Sequence, residues 1–365
     1  MPMIRIAQVV EDLKIGGIEK VIENITMFLD PQLFKVHVIC LSRGGEVAEG
    51  LIANGKDVEI LHIRNYHSLS GIMKVAGRLR RKEIDIVHTH AYPAGVLGRV
   101  AAVLAGVPRI LHHLHSTRHG LSKRNCLIER ILSRHTSAVL CCSKAVEEFA
   151  SRKVGIPRNK LTVLYNGVPE FPTPAAEAVR DLKRSLGLVE NGFVIGCVAS
   201  LTEHKGHKYL LEALARVDDA RLVLVGDGPL RKELKELTHA LDINDRVVFA
   251  GYQMDISLYL ALMDIVVLPS SEGEGFGIAL IEAMSASKPV IGSSIGGIPE
   301  IIDHGATGLL VRPKDSDALA GAIRKLLDSP ALICSMGLKG RQKYIRDFTL
   351  HKMLQNMGEL YAARK

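Results

Sequence analysis

SEGEGFGIALIEAMSASKPVIGSSIGGIPE, residues 271–300, sets three carboxylates, Glu272, Glu274 and Glu282, among glycines that leave the backbone bare. Acidic side chains beside exposed amides suit a ligand that carries both hydroxyls and phosphates. The stretch follows DIVVLPS, a strand pattern, and runs into IALIEAM, a helix pattern, so it reads as one strand–turn–helix unit of a parallel sheet. Glu274 then falls in the turn, and Glu282 lies inside the helix about two turns further on. The amides of Gly275, Phe276 and Gly277 come between them, free to contact phosphate oxygens.

The same alternation extends in both directions. Ahead of it, IRIAQVV precedes a helix pattern at Glu19–Leu29, KVHVICL precedes Val47–Asn54, DVEILHI precedes Gly71–Lys82, and DIVHTH precedes Ala94–Ala105. RILHHLH, a basic helix, AVLCCS, the helix Lys144–Lys153 and LTVLYNG follow. PEFPTPAAE, residues 169–177, interrupts the pattern with three prolines and predicts a linker. The alternation restarts with FVIGCVAS, ARLVLVG, RVVFAG, DIVVLPS and PVIGSS. The class is therefore α/β, with two successive doubly wound domains divided near residue 170. Open parallel sheets bind ligands at the carboxyl ends of their strands, which predicts two facing domains with a cleft between them.

A chain of 365 residues, 47% hydrophobic and 24% charged, fits two globular domains, and its apolar runs are too short to span a bilayer. The first residues pass straight into a strand pattern rather than a signal peptide, and the six cysteines show no CxxC spacing. Both point to a cytoplasmic protein with reduced thiols. The net charge of +8 is uneven: residues 1–170 carry 24 Lys and Arg against 15 Asp and Glu, and the remainder 23 against 24. The basic surplus concentrates at Arg78–Glu83 and Arg118–His135, which suits an anionic surface or a phosphorylated substrate. Nucleic acid is not expected as a partner, because stacking platforms are scarce: there is no Trp and 4% aromatic content.

Gly16 and Gly17 follow the first strand and open a helix, where bare N–H groups suit an anion. Gly226-Asp227-Gly228 falls short of a dinucleotide fingerprint, since Arg231 stands where the third glycine belongs, and GxxxxGK[ST] is absent. His88 and His90, then His112, His113 and His115, lie near the ends of two strands. No HExxH or Cys–His spacing supports zinc, so no metal is expected. Asp315-Ser316-Asp317 reads as helix capping.

Glu274-x7-Glu282 in EGFGIALIEAM, together with PVIGSSIGGIPEII, TGLLV, GGIE, HTH, YNGV, HKG and GDGP, resembles the retaining glycosyltransferases of family 4, enzymes of the GT-B fold. The resemblance covers nearly the whole chain. It implies an acceptor-binding domain at 1–170, a nucleotide-sugar-binding domain at 171–345, and a last segment, 346–365, crossing back to the first. It implies that Glu282 accepts from the ribose hydroxyls and Glu274 contacts the transferred sugar. Gly275, Phe276 and Gly277 would donate to sugar and diphosphate, Lys205 would neutralise the diphosphate, and Gly16 and Gly17 would close on the phosphates. His115 would reach the reaction centre. UDP-sugar or GDP-sugar is the implied donor, with contacts near Gly251–Gln253 separating the bases, and no metal cofactor is implied.

Two departures stand out. Ser200 replaces the arginine that the family places on the diphosphate, leaving Lys205 alone or helped by Arg231 or Lys208. Ser287 replaces a usual glycine, with little consequence expected. The acceptor is expected to be a lipid-linked or cell-envelope glycan precursor. The helix Ser122–Arg134 would lie on anionic membrane, with Leu127, Ile128, Ile131 and Leu132 on one side. Alternatives are a nucleotide-sugar 2-epimerase and a non-catalytic scaffold subunit, the latter favoured only by Ser200.

Overall fold

A computed structural model describes residues 3–117, 122–190 and 192–363. Residues 118–121, the start of the basic run Arg118–His135, lie outside the described residues. The chain forms two compact units: Met1–Gly167 with Leu350–Lys365, and Val168–Thr349.

Among the described residues, the first unit holds seven strands: β1 (Ile4–Val10), β2 (Phe34–Cys40), β3 (Asp57–Ile60), β4 (Ile86–His90), β5 (Arg109–Leu114), β6 (Ala138–Cys141) and β7 (Leu161–Val163). They pair in parallel in the order β3-β2-β1-β4-β5-β6-β7. The second unit holds β8 (Phe193–Val198), β9 (Ala220–Val225), β10 (Val247–Gly251), β11 (Ile265–Leu268), β12 (Val290–Ser293) and β13 (Gly308–Val311), in the order β10-β9-β8-β11-β12-β13. Central strands such as β11 are buried along their whole length, because helices cover both faces of a parallel sheet. That is why they read as unbroken apolar runs rather than alternating ones.

Strand order reverses between β1 and β4 in the first sheet and between β8 and β11 in the second. Chain leaving such a pair of neighbours turns to opposite faces and opens a crevice at their carboxyl ends. Gly16 and Gly17 follow β1, and His90 ends β4. Lys205 follows β8, and Glu274 follows β11. The topology thus selects which loops can meet.

Helices begin and end within a few residues of the expected bounds, at Gly17–Phe28, Glu46–Ala53, Leu69–Arg81, Tyr92–Ala105 and Lys123–Arg134. The helix expected at Lys144–Lys153 is α-helical only over Lys144–Phe149; it widens into a π turn over Ala150–Val154 and stops at Gly155, φ +82. Asp315 caps Ser316–Leu327 by accepting from the Ala318 amide at 2.8 Å, the role its spacing suggested. Among the described residues, no helix is long and apolar enough to cross a membrane.

The last helix, Leu350–Ala362, completes the first unit. Tyr361 is 1% exposed, its hydroxyl meeting Gln8 on β1 and His88 on β4, while Arg109 donates to the carbonyls of Leu360 and Tyr361 at 2.7 Å each. The chain leaves the second unit at Phe348 and Thr349, where the Val168 amide donates to the Phe348 carbonyl at 3.1 Å.

Candidate active site

In the second unit, the turn that carries Lys205 is docked on the loop after β11. The Ser271 amide donates to the His204 carbonyl at 2.8 Å, and the Ser271 hydroxyl reaches the carbonyls of Glu203 and His204. Gly206, φ +69, makes this approach possible: a Cβ there would stand 2.1 Å from the Pro269 carbonyl oxygen. Gly296, φ +57, does the same on the other side, where a Cβ would sit 1.7 Å from the Glu274 carbonyl oxygen. Only glycine allows either contact.

The result is a close ion pair. Lys205 Nζ donates to Glu274 Oε2 at 2.6 Å, and the Ser270 hydroxyl donates to the same oxygen at 2.7 Å. Burial pushes the Glu274 carboxyl up, but the Lys205 charge and the hydrogen bonds from Lys205 and Ser270 outweigh it and hold the group below the usual range. Ser270 is a contributor that spacing alone did not single out.

Phe276 packs its ring inward, 3% exposed and edge-on to Phe348 at 5.6 Å between centroids, so it anchors the loop. Gly277 sits at φ +110 immediately before the helix Ile278–Ser285. Glu282 is 5% exposed in that helix, among core residues Leu280, Ile281, Ala283 and Met284. A carboxylate so placed contributes nothing to apolar packing and marks a polar task.

The Ser200 position is linked to its neighbour loop: the Leu201 amide donates to the Asp227 carbonyl at 3.0 Å and the Leu230 amide to the Leu201 carbonyl at 3.1 Å. Arg231 follows at once, its guanidinium on Asp227 at 3.1 Å and over the Phe249 ring. Lys208 is exposed and lies over the Tyr209 ring. Near the expected base contacts, Gln253 Nε2 donates to the Ala250 carbonyl at 2.9 Å and Tyr252 is 41% exposed.

In the first unit, Gly16 is the N-cap of Gly17–Phe28 and has no side chain to occupy the first amides. Glu19 curls over it, so that a Cβ on Gly16 would stand 2.3 Å from Glu19 Oε2. Burial, then the nearby Asp12 and Glu11, push the Glu19 carboxyl up to about 7 against the hydrogen bond to its own backbone.

The histidines divide by sheet face, as the two-residue period requires. His112 faces the helices with Thr89, whose hydroxyl is 2.9 Å from His112 Nδ1. There Arg99 and Glu129 form a buried ion pair at 2.5 Å, their side chains 1% and 2% exposed. On the other face His88, His90 and His113 are buried and His115 half-buried, with ring centroids 4.3 Å apart for His88–His90 and 4.0 Å for His113–His115. Nitrogens of His88, His90 and His113 lie within 4.8 Å of one another. Both nitrogens of His90 are already engaged, by His115 and Gln8, so only two of the three residues have a nitrogen to give a metal.

Residues 179–343 match the family described as Glycosyl transferases group 1, and residues 15–170 match Glycosyltransferase Family 4. The chain is 29% identical over 379 residues to the UDP-Gal:alpha-D-GlcNAc-diphosphoundecaprenol alpha-1,3-galactosyltransferase of Escherichia coli, with 98% of this chain and 96% of that one covered. It is 30% identical over 298 residues to the Bacillus subtilis (strain 168) protein EpsD, covering 77% of each. The structure of Anabaena Alr3699/HepE in complex with UDP and glucose superimposes with a TM-score of 0.89 at 26% identity, covering 98% of this chain and 99% of that one. With both halves matched and the two doubly wound sheets of the GT-B fold in place, the chain belongs to the glycosyltransferases of family 4.

Proposed function

We propose that the protein is a retaining glycosyltransferase that moves a hexosyl group from a nucleoside diphosphate sugar to a lipid-linked or cell-envelope glycan precursor. The observation that carries this reading is the Lys205–Glu274 pair, poised beside the glycine amides at the β8–β11 crevice. Breaking the anomeric C–O bond leaves negative charge on the β-phosphate and positive charge on the sugar ring. Lys205 and the amides of Gly275, Phe276 and Gly277 face the first; Glu274 is the carboxylate for the sugar and Glu282 for the ribose. Arg231, one residue beyond the backbone bonded to Leu201, takes the place of the arginine missing at Ser200. Gly16 and Gly17 close on the phosphates, and His115 acts at the reaction centre. No resident metal is required where fixed donors supply the field, and with front-face attack the leaving phosphate takes the acceptor's proton. The UDP-galactose and UDP-plus-glucose relatives favour uridine as the base.

The exposed face of Lys123–Arg134 supports a membrane-bound acceptor. Glu129 and Ser133 are buried, while Leu127 and Ile131 are 54% and 46% exposed beside Lys123, Arg124, Arg130 and Arg134. Ile128 and Leu132, expected on the same side, are partly buried instead. Two half-exposed aliphatic side chains entering an interface contribute about 1 kcal/mol each, and each basic residue about 1 kcal/mol on anionic lipid.

The test is a thermal-shift panel of UDP, GDP, UDP-glucose, UDP-galactose, UDP-N-acetylglucosamine and GDP-mannose on wild type and Glu282→Ala. Stabilisation by uridine compounds, lost in the variant, is expected. No stabilisation by any of them would return the scaffold reading to the front. Donor turned into an isomeric nucleotide sugar without acceptor would instead establish epimerisation.

A further inference from the structure

A continuous chain of hydrogen bonds runs from the last helix to His115. Gln8 Nε2 donates to the Tyr361 hydroxyl at 2.8 Å, and the Tyr361 hydroxyl lies 2.7 Å from His88 Nδ1. Gln8 Oε1 lies 2.6 Å from His90 Nε2, and His90 Nδ1 lies 3.0 Å from His115 Nε2. Gln8, His88 and His90 are fully buried and Tyr361 nearly so.

With the Gln8 amide in this orientation, donors and acceptors follow one another along the chain. An amide oxygen can only accept, so His90 must carry its proton on Nε2. Burial and the neighbouring imidazoles push His90 far below the ordinary histidine range, so the ring is neutral and its Nδ1 can only accept. His115 must then present Nε2–H to it, so that in the neutral form of His115 the lone pair is on Nδ1. In the other direction the Tyr361 hydroxyl accepts from Gln8 and donates to His88 Nδ1. His88, pushed down to about 3 mainly by burial and then by His115, is neutral with its proton on Nε2. Rotating the Gln8 amide by half a turn would reverse every bond and move the His115 proton to Nδ1.

We propose that Gln8 is a positioning residue for the transfer reaction: the orientation of its amide between Tyr361 and His90 sets the tautomer of His90 and through it the tautomer and ring angle of His115. The inference rests on the reading of His115 as a reaction-centre residue. Gln8 touches neither donor nor acceptor in this role; it decides whether Nδ1 of His115 carries a proton or a lone pair.

The experiment uses the full chain labelled with 15N-histidine, in wild type, Gln8→Met, Gln8→Glu and His115→Gln, the last identifying the His115 signals. Side-chain 15N spectra at neutral pH are expected to show one His115 tautomer, protonated on Nε2, in wild type, and a mixture in Gln8→Met. Gln8→Glu, which keeps an oxygen acceptor for His90 Nε2–H, is expected to restore the single tautomer, and it decides the matter if Gln8→Met fails to fold. UDP release from UDP-galactose or UDP-glucose is measured alongside. Gln8→Met should lower kcat roughly 10- to 100-fold, with the donor KM within about twofold. The Gln8→Met/His115→Gln double variant should be no slower than His115→Gln alone, because the first acts through the second.

An unchanged His115 tautomer in Gln8→Met, or rate losses that multiply in the double variant, would overturn the proposal. A His115→Gln variant with wild-type turnover would instead remove the functional reading of His115 beneath it.

Discussion

Lys205 Nζ and Glu274 Oε2 are 2.6 Å apart, with side chains only 19% and 10% exposed. The two residues assigned to opposite charges of a breaking glycosidic bond are therefore ion-paired with each other. A diphosphate must compete with Glu274 for the ammonium, and Glu274 must keep Ser270 as a partner when it turns to the sugar.

This sets the two variants apart. Lys205→Ala should weaken UDP binding about 10- to 100-fold, the worth of a charge-assisted contact. Glu274→Gln should leave UDP binding unchanged or tighter, since the lysine is released, while transfer falls by two orders of magnitude or more. Calorimetry with UDP beside steady-state rates separates the two; equal loss of UDP affinity in both would contradict the assignment.

Glu19 gives the first unit a pH signature. Its folded pKa of about 7 lies above the ordinary 4.5, so between those values the folded state holds more proton than the unfolded state. Stability should therefore fall as pH rises from about 4.5 to 7 and then level off. The side chain is only partly enclosed, so about 1–2 kcal/mol is expected rather than the full value of the shift. Urea melts should show Glu19→Gln more stable than wild type at pH 8 and similar at pH 4.5; a flat difference across pH would refute it.

Arg99 and Glu129 stand in for apolar packing beneath the basic helix. Arg99→Met should cost about 3–5 kcal/mol, because it strands the Glu129 carboxylate, whereas Arg99→Met with Glu129→Met should recover most of that loss. Denaturation of wild type, Arg99→Met, Glu129→Met and the double variant forms the cycle. Additive losses would mean the pair is not coupled.

Ser287 occupies the left-handed region at φ +58, just past the end of Ile278–Ser285. Its replacement of the family's glycine, expected to matter little, therefore carries backbone strain. Ser287→Gly should stabilise the second unit by about 1 kcal/mol and raise the melting temperature by a few degrees, with catalysis unaffected.

Much of the architecture was legible because strands buried on both faces must be apolar throughout and because glycines mark tight strand-to-helix turns. DIVVLPS and FVIGCVAS announced β11 and β8, and Glu274 and Lys205 were visible just beyond them. That the two side chains meet was not legible from periodicity, since β8 and β11 are neighbours only through strand order, 69 residues apart along the pair. Gln8 was hidden inside IRIAQVV as one polar residue in an apolar run, and Tyr361 as one aromatic on an amphipathic helix. Their meaning depends on the His88 register of β1 against β4. The orientation of Lys123–Arg134 was misread for a related reason. Leu127 and Ile128 point about 100° apart around the helix, and burial of Glu129 against Arg99 decides which of them turns inward.

Tyr361 also bears on vectorial synthesis. His88 waits for a hydroxyl 273 residues downstream, and the intervening chain contains the whole second unit. The strands of the first sheet are thus made long before the helix that closes over Gln8 and His88, with the whole second unit synthesised in between.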